Sequence, residues 1–518
     1  MKTNNEALIK DRAAGVLLHI SSLPGKHGLG DLGKPAFEFV DFLKSSGFKY
    51  WQVLPIGPVS AVMGYSPYSS PSTFAGNTDF ISIDSLRLNP GETNEPQETN
   101  EVKENTNSEE ENNSEESSFA DYELSKSYKE PIIYNYFKGS EHPEFETFCK
   151  KNTTWLDDFA LFTALSDFLK TNDWRKWGDA SQYNKKTIEE YNSKLKEQVN
   201  YIKFKQFLFF KQWFELKEYA NSNGIQIVGD IPIYVVLEGA DAWANKDIFQ
   251  VDANMEPSNV AGVPPDYFSE DGQRWGNPLY KWLDKNNKLY EPTYEWWKKR
   301  VLHLSSMFDI VRIDHFRAFE AYWSVPAEEE TAKNGKWVQG PGSDFFAKLQ
   351  KECGRLPLIA EDLGIITQEV EQLRDEFNFP GMKIMQFAFD YNSNNYYLPH
   401  NIDNPNCILY TGTHDNNTTN GWFYEGDVSQ DVQEYIMEYL DIDTFADMHL
   451  HIIKSALMTI SKLVIIPMQD LLGYGAAYRM NTPGTVSSNW GWKLKSNEIN
   501  SELIEKFLRT LKLYGRVS

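Results

Sequence analysis

The stretch D-I-V-R-I-D, residues 309–314, reads as a short buried β-strand interrupted by charge. Its apolar residues are β-branched and favour a strand. Because side chains alternate across a strand, Arg312 and Asp314 share one face, whereas Val311 and Ile313 share the other. We therefore expect a guanidinium and a carboxylate to point together into whatever that face meets.

Seven further β-rich runs occur along the chain, with helical stretches between them, at 15–20, 50–55, 225–230, 356–362, 382–389, 407–415 and 462–470. Strand–helix alternation predicts an α/β fold with a parallel sheet, and eight such units favour a (β/α)₈ TIM barrel. An open doubly wound sheet would show the same alternation, so the spacing alone leaves both architectures open.

The runs are unevenly spaced, with about 170 residues between the second and third and about 80 between the third and fourth. These gaps predict two insertions in a single barrel domain spanning 1–518, one at 65–222 and one at 235–305. The aromatic, helix-patterned stretch F-K-Q-F-L-F-F-K-Q-W-F at 204–214 predicts a helical subdomain in the first insertion.

Residues 89–118 contain ten Glu, one Lys and almost no apolar side chain, and they contribute −9 of the net charge of −23. Such a composition cannot bury enough surface to order itself, so we predict an acidic disordered loop at 88–120. An acidic interaction tail is the alternative.

Charge and cysteine content exclude several classes of function. The chain has 51 Lys and Arg against 74 Asp and Glu, a balance that repels nucleic acid and anionic membranes. Cys149, Cys353 and Cys407 show neither disulfide nor zinc spacing, which favours a reducing, cytoplasmic location. No apolar run is long enough for a membrane span or a signal peptide, and G-L-G-D-L-G at 28–33 does not fit the dinucleotide fingerprint.

Four of the predicted strands end in acidic residues: Asp230, Asp314, the pair Glu361 and Asp362, and Asp415. In a barrel all strand carboxyl ends open on one face, where active sites of this fold lie. One such acid is commonly a helix cap, but four in series make capping alone a weaker explanation. We expect a cluster of carboxylates at this face.

Asp314 has two interpretations, a structural ion pair with Arg312 or a catalytic carboxylate, and the strand alone does not separate them. In the catalytic interpretation Arg312 keeps Asp314 ionised, while the apolar surround of Glu361 pushes that carboxyl toward its protonated form. Two carboxyl groups with separated pKa values are what retaining glycoside chemistry requires.

His315 follows Asp314 and His414 precedes Asp415, so a metal site is one interpretation of these residues. No H-E-x-x-H or paired-histidine spacing occurs, which argues against it.

The loops at 64–68, 260–280 and 481–485 combine Tyr and Trp with Gln, Asn, Gly and Pro. Flat aromatic faces with paired hydrogen-bonding groups suit sugars, although the same aromatics could instead pack on the barrel.

Long motifs in a fixed order make the sequence similar to one family, and they run from about residue 13 to about residue 515. They include V-R-I-D-H-F-R, A-E-D-L-G, T-G-T-H-D-N, G-D-I-P-I-Y-V, P-P-D-Y-F-S-x-x-G-Q-R-W-G-N-P-L-Y, G-Y-S-P-Y, M-N-T-P-G-T and N-W-G-W. With these motifs the chain resembles the 4-α-glucanotransferases, the amylomaltase or disproportionating-enzyme family.

The resemblance implies a (β/α)₈ barrel related to α-amylases and a retaining double displacement. By motif match it implies that Asp314 is the nucleophile and that Glu361 is the acid and then the base. It further implies that Asp415 is a third carboxylate, which holds sugar hydroxyls.

The resemblance also implies a set of substrate-binding residues around the donor sugar and along the glucan cleft, with 235–305 lining that cleft. They are Asp230, Arg312, His315 and His414, and then Ser66, Tyr68, Gln273, Trp275, Asn481 and Pro483. The implied partners are maltooligosaccharides, glucose and α-glucans, with no cofactor and no metal.

The chain departs from the family pattern at two places. It reads V-L-E-G-A-D-A-W where relatives usually have His-Asp-Ser or similar before the A-D-x-W, and H-D-N-N-T where H-D-N-D-T is usual.

Two other functions would use the same residues. One is an amylase-type hydrolase, in which water accepts the glucosyl group, and the other is an inactive glucan-binding protein. A binder gains nothing from an ionised Asp beside a protonatable Glu.

Overall fold

A computed structural model describes residues 7–86, 117–139, 142–265, 269–485 and 487–517. The predicted disordered loop at 88–120 lies outside the described residues except for 117–120. None of the helices in the described ranges is long and apolar enough to cross a membrane.

The described residues form twelve β-strands. These are β1 (Ala13–Leu17), β2 (Tyr50–Gln52), β3 (Gln226–Ile231), β4 (Asn259–Val263), β5 (Gln273–Pro278), β6 (Ile310–Ile313), β7 (Ala321–Pro326), β8 (Lys336–Gln339), β9 (Leu358–Ala360), β10 (Gly381–Ile384), β11 (Cys407–Tyr410) and β12 (Leu463–Pro467).

Eight of the strands form one parallel sheet in the order β10-β11-β12-β1-β2-β3-β6-β9. They coincide with the eight runs predicted from the sequence. The two ends of this order meet, because the Ala360 amide of β9 donates to the Pro380 carbonyl just before β10 at 2.9 Å. The sheet is therefore a nearly closed barrel, which confirms the predicted TIM barrel and excludes the open doubly wound sheet.

Side-chain alternation divides the barrel strands between two cores. Ile310 packs inside the barrel with residues such as Val228 and Ile359, whereas Val311 and Ile313 pack outward against the helices. Because the alternation has a period of two, Arg312 and Asp314 follow Ile310 on the inner side. The predicted face of the D-I-V-R-I-D stretch is thus the interior of the barrel at its carboxyl end.

Fifteen α-helices lie in the described residues. These are α1 (Lys34–Ser45), α2 (Tyr122–Gly139), α3 (Pro143–Lys151), α4 (Leu156–Leu169), α5 (Lys185–Lys194), α6 (Lys196–Ser222), α7 (Ala240–Ala244), α8 (Glu291–Met307), α9 (Gly342–Cys353), α10 (Gln368–Glu376), α11 (Thr419–Tyr424), α12 (Gln430–Leu440), α13 (Met448–Met458), α14 (Met468–Leu472) and α15 (Ser501–Leu513). Helices α2 to α6 lie between β2 and β3, and α6 contains the aromatic stretch at 204–214.

A second sheet, antiparallel and four-stranded, has the order β5-β4-β7-β8. The sequence did not predict it, because β5 reads Q-R-W-G-N-P and contains Gly276 in the left-handed region with φ 82° and a terminal proline. Gly and Pro are poor strand formers, so only pairing with a neighbour stabilises this segment. The sheet matters for function because it carries Gln273 and Trp275 toward the carboxyl end of the barrel.

Candidate active site

The predicted acids do gather at the carboxyl end of the barrel. Asp230 lies near the end of β3, and Asp314 and Glu361 directly follow β6 and β9. β3, β6 and β9 are neighbours in the sheet. Backbone bonds extend the ladder to the two acids, from the Asp314 amide to the Ile231 carbonyl at 2.9 Å and from the Glu361 amide to the Ile313 carbonyl at 3.1 Å.

Arg312 forms the buried ion pair that the structural interpretation predicts, but its main partner is Asp230. Its Nη1 contacts both Asp230 carboxylate oxygens, at 2.9 and 2.7 Å, and its Nη2 contacts Asp314 Oδ1 at 2.8 Å. The Asp230 side chain is fully buried, whereas that of Asp314 is 30% exposed. Arg312 thus neutralises Asp230 and holds one oxygen of Asp314, which leaves the other oxygen of Asp314 outside the ion pair.

Glu361 is held by two backbone amides rather than by a cation. The His315 amide donates to Oε2 at 2.6 Å and the Leu363 amide donates to Oε1 at 3.0 Å. His315 has φ 51°, a left-handed conformation that few non-glycine residues adopt. This turn directly after β6 aims the amide at Glu361 and so joins the two neighbouring strand ends.

The two carboxyl groups have separated pKa values. Burial raises the pKa of Asp314 to about 6, against the opposing charge of Arg312. Burial raises the pKa of Glu361 further, to about 8, with Arg312 opposing and the charge of Asp314 adding to the rise. Near neutral pH Asp314 is therefore mostly ionised and Glu361 mostly protonated. The order of the two pKa values is the one expected from the sequence, but burial outweighs Arg312 and raises the pKa of Asp314 instead of leaving it low.

Asp415 lies on the loop after β11 and is about half exposed. Its Oδ1 accepts a hydrogen bond from Asn481 Nδ2 at 2.7 Å and lies 3.4 Å from His414 Nε2. Burial lowers the pKa of His414. The imidazole is therefore neutral at pH 7 and can act as a hydrogen-bond donor to this carboxylate.

An aromatic wall connects Asp415 to the Arg312 network. His414 stacks on Tyr68 with 5.0 Å between ring centroids and 12° between planes, and the Tyr68 hydroxyl donates to Asp230 Oδ2 at 2.7 Å. Trp490 packs on both rings, at 5.8 Å from Tyr68 and 5.9 Å from His414. Ser66 supports the wall, because its Oγ accepts a bond from the Tyr68 amide at 3.3 Å.

The second sheet brings another aromatic residue to the site, next to His315. Trp275 on β5 meets the His315 ring edge to face at 4.9 Å, and its indole N–H donates to Gln273 Oε1 at 3.1 Å. Trp275 keeps 38% of its surface exposed. Pro483 differs from the other predicted residues, since it lies exposed in a turn closed by the Thr485 amide and the Thr482 carbonyl.

Sequence reasoning assigned no role to Trp490 or Arg479, although N-W-G-W and the residues next to M-N-T-P-G-T were visible signals. Conversely, Asp362 lies outside the site. Its carboxylate binds Arg374 Nη1 at 2.5 Å and the Met382 amide at 2.7 Å. This strand-end acid is structural and joins β9 to β10.

The two departures from the family pattern are paired locally. Glu238 of V-L-E-G-A-D-A-W contacts Arg175 at 2.9 Å, and Asn417 of H-D-N-N-T donates to Asp427 at 3.1 Å. An aspartate at 417 would place two carboxylates against each other. Neither residue hydrogen-bonds Asp314, Glu361 or Asp415 in the described part of the chain.

Comparison with known proteins identifies the family. The model of the 4-alpha-glucanotransferase family matches residues 18–499. The chain belongs to this family. A 4-alpha-glucanotransferase of Clostridium butyricum is 43% identical over 508 residues, which cover 96% of this chain and 100% of that relative. One of Thermus thermophilus is 40% identical over 510 residues, covering 95% and 96%.

Solved structures agree with the assignment to the 4-alpha-glucanotransferases. An amylomaltase from Streptococcus agalactiae in complex with acarbose has a TM-score of 0.88 and 36% identity, covering 98% of this chain and 100% of that one. Within the described ranges, no group of three or more His, Cys, Asp and Glu side chains is arranged to hold a metal ion.

Proposed function

We propose that this 4-alpha-glucanotransferase moves α-1,4-glucan segments from one maltooligosaccharide to the 4-hydroxyl of another, with glucose as a good acceptor. The observation that carries the proposal is the pair Asp314 and Glu361, which lie on neighbouring strands with separated pKa values. This is the arrangement that a retaining double displacement needs. The names of the full-length relatives support transfer to a sugar rather than to water.

In the first step, the free oxygen of Asp314 attacks the anomeric carbon of the donor. Glu361 gives its proton to the departing glycosidic oxygen, so the bond breaks without releasing an alkoxide. The products are a glucosyl ester on Asp314 and a shortened glucan with a new 4-hydroxyl. Glu361 is left as a carboxylate beside the two backbone amides that hold it.

In the second step, the acceptor 4-hydroxyl replaces the departed glucan. Glu361 takes the proton of that hydroxyl while the acceptor oxygen attacks the anomeric carbon. The attack breaks the ester bond to Asp314 and restores the original stereochemistry at the anomeric carbon. Asp415, with Asn481 and His414, would hold donor hydroxyls as the ring flattens. Tyr68 would provide an aromatic face beside His414, and Trp275 would provide one beside His315. The position of Trp275 supports the proposal that the insertion at 235–305 lines the cleft.

Incubation of the purified protein with maltotriose tests this proposal against the hydrolase alternative. Transfer should yield glucose and a ladder of longer oligomers with little net gain of reducing ends, because each broken bond is remade. A steady rise of reducing ends would instead identify a hydrolase.

The variant Asp314→Asn tests the alternative that the protein is an inactive glucan binder. It should abolish turnover and keep maltooligosaccharide binding, since Arg312 remains anchored on Asp230. Glu376→Gln on the exposed side of α10 is the matched control and should behave like the unmodified protein. Retained turnover in Asp314→Asn would show that another group is the nucleophile.

A further inference from the structure

Arg479 lies between the barrel and the 481–485 loop and binds two backbone carbonyls of the candidate site. Its Nη2 donates to the Asp415 carbonyl at 2.5 Å and its Nε donates to the Asn481 carbonyl at 2.6 Å. These are the two residues whose side chains hydrogen-bond to each other at 2.7 Å. Arg479 therefore fixes both backbones of the pair that orients the Asp415 carboxylate.

Other hydrogen bonds between the segments after β11 and β12 lie further from Asp415, such as those from the Thr419 amide to Asp470 and from Asn420 to the Gly473 carbonyl. The Asn481 amide donates to the His414 carbonyl at 3.1 Å, and the Trp490 amide donates to the Met480 carbonyl at 2.7 Å. Together with the Arg479 bonds, the Asn481–His414 bond joins the loop after β11 to the segment after β12, and the Trp490–Met480 bond lies within that segment. The position of Asp415 thus depends on Arg479, which lies 64 residues further along the chain.

Arg479 also lines a small cavity next to the Asp415 loop, together with His19, Thr413, Gln469, Met480 and Trp492. The cavity has a volume of about 20 Å³, which leaves room for about one water molecule. The two Arg479 hydrogen bonds are among the contacts that fix the backbone of this loop.

We propose that Arg479 is a positioning residue for the glucan transfer, acting by holding Asp415 and Asn481 in the geometry that meets the donor sugar. This inference rests on the proposed function and adds a residue to it. An arginine suits the task because its planar guanidinium donates in two fixed directions. A lysine can reach either carbonyl but cannot hold both in one plane.

The first experiment compares Arg479→Gln, Arg479→Lys and Arg12→Gln by steady-state kinetics with maltotriose. Arg12 is the matched control, because its Nη2 also binds two backbone carbonyls, those of Leu457 and Thr459 at 2.8 and 2.9 Å, next to the start of β1. Arg479→Gln should lower kcat about 10- to 100-fold, as expected for a misplaced reacting group, with a much smaller change in KM. Arg479→Lys should recover part of the loss, and Arg12→Gln should leave kcat unchanged.

The second experiment asks whether Arg479 acts through the Asn481–Asp415 pair. If both residues hold the same carboxylate, the double variant Arg479→Gln/Asn481→Ala should lose less kcat than the product of the two single losses. Multiplicative losses would overturn the inference. So would an Arg479→Gln enzyme with unchanged kcat per folded molecule. A wild-type protein that is inactive on maltotriose would refute the proposed function, and this inference with it; an active wild type with unaffected variants would refute the inference alone.

Discussion

Asp314 and Glu361 release their protons over different pH ranges, and this difference predicts a bell-shaped pH dependence. Asp314 must be ionised to attack, so kcat/KM should rise as pH passes its pKa of about 6. Glu361 must be protonated to act as acid, so kcat/KM should fall as pH passes its pKa of about 8. Measurement with maltotriose across both limbs tests this directly. A rate that keeps rising above the second pKa would contradict the assignment of Glu361 as the acid.

Glu361→Gln with maltotriosyl fluoride separates the two roles of this residue. Fluoride leaves without protonation, so the first step should persist and give a burst of fluoride stoichiometric with enzyme. The second step lacks its base and should then be slow. If the variant lost the fluoride burst as completely as it lost turnover of maltotriose, Glu361 would be shown to support folding or binding instead.

At the level of elements, the barrel strands could be predicted because each is a short, mainly apolar run, and helices separate most of them. The closure of the barrel was implied by the family resemblance but not by the spacing of the strands, because strand–helix alternation does not encode the contact between Ala360 and Pro380. The sheet of β4, β5, β7 and β8 was missed for a similar reason, since its glycine- and proline-containing strand forms only through pairing. Motif resemblance named Asp415, but the bridge through Arg479 depends on how two distant loops meet.

Helix α2 gives a prediction at this scale, because one buried lysine anchors it to the barrel. Lys129 Nζ contacts Asp31 Oδ2 at 3.0 Å and the Asp79 carbonyl at 2.8 Å, and its side chain is 2% exposed. Lys129→Met would remove the cation beside Asp31 and leave that carboxylate only its hydrogen bond from the Gly33 amide at 2.9 Å. We expect a cost of about 2 to 3 kcal/mol for a pair that keeps some solvent contact. We expect amide exchange in Tyr122–Gly139 to accelerate by about 10- to 100-fold while the barrel strands keep their protection.

Lys126→Met on the exposed side of the same helix is the control for this measurement. It removes the same charge without removing a buried contact, so exchange in α2 should stay close to that of the unmodified protein. Equal acceleration in both variants would mean that the helix responds to charge or propensity rather than to the anchor.

The described part of the chain closes on itself twice, at the β9–β10 contact and between Arg516 and the start of β1. Arg516, fully buried, connects its segment to the start of β1 and to the residues before β12. Its Nη1 donates to the Ala13 carbonyl at 3.1 Å and to the Ser461 carbonyl at 2.9 Å. Nε and Nη2 donate to the carbonyls of Leu457 and Thr459 at 2.9 and 3.1 Å. The C-terminal segment thus holds β1 against β12 at the amino end of the barrel, opposite the carboxylates.

Arg516→Met should therefore destabilise the whole barrel and leave its chemistry intact. Arg12 still binds Leu457 and Thr459, so the loss falls mainly on the carbonyls of Ala13 and Ser461. At about 1 to 3 kcal/mol for each buried group left without a partner, the free energy of unfolding should fall by about 2 to 6 kcal/mol. Urea unfolding measures this, with exposed Arg509→Met on α15 as the control expected to change stability by about 0.5 kcal/mol or less. Asp314 and Glu361 lie at the other end of the barrel, so both variants should have the same kcat on maltotriose well below the unfolding temperature. A loss of kcat in Arg516→Met alone would show that the Arg516 contacts affect the geometry of the carboxylates.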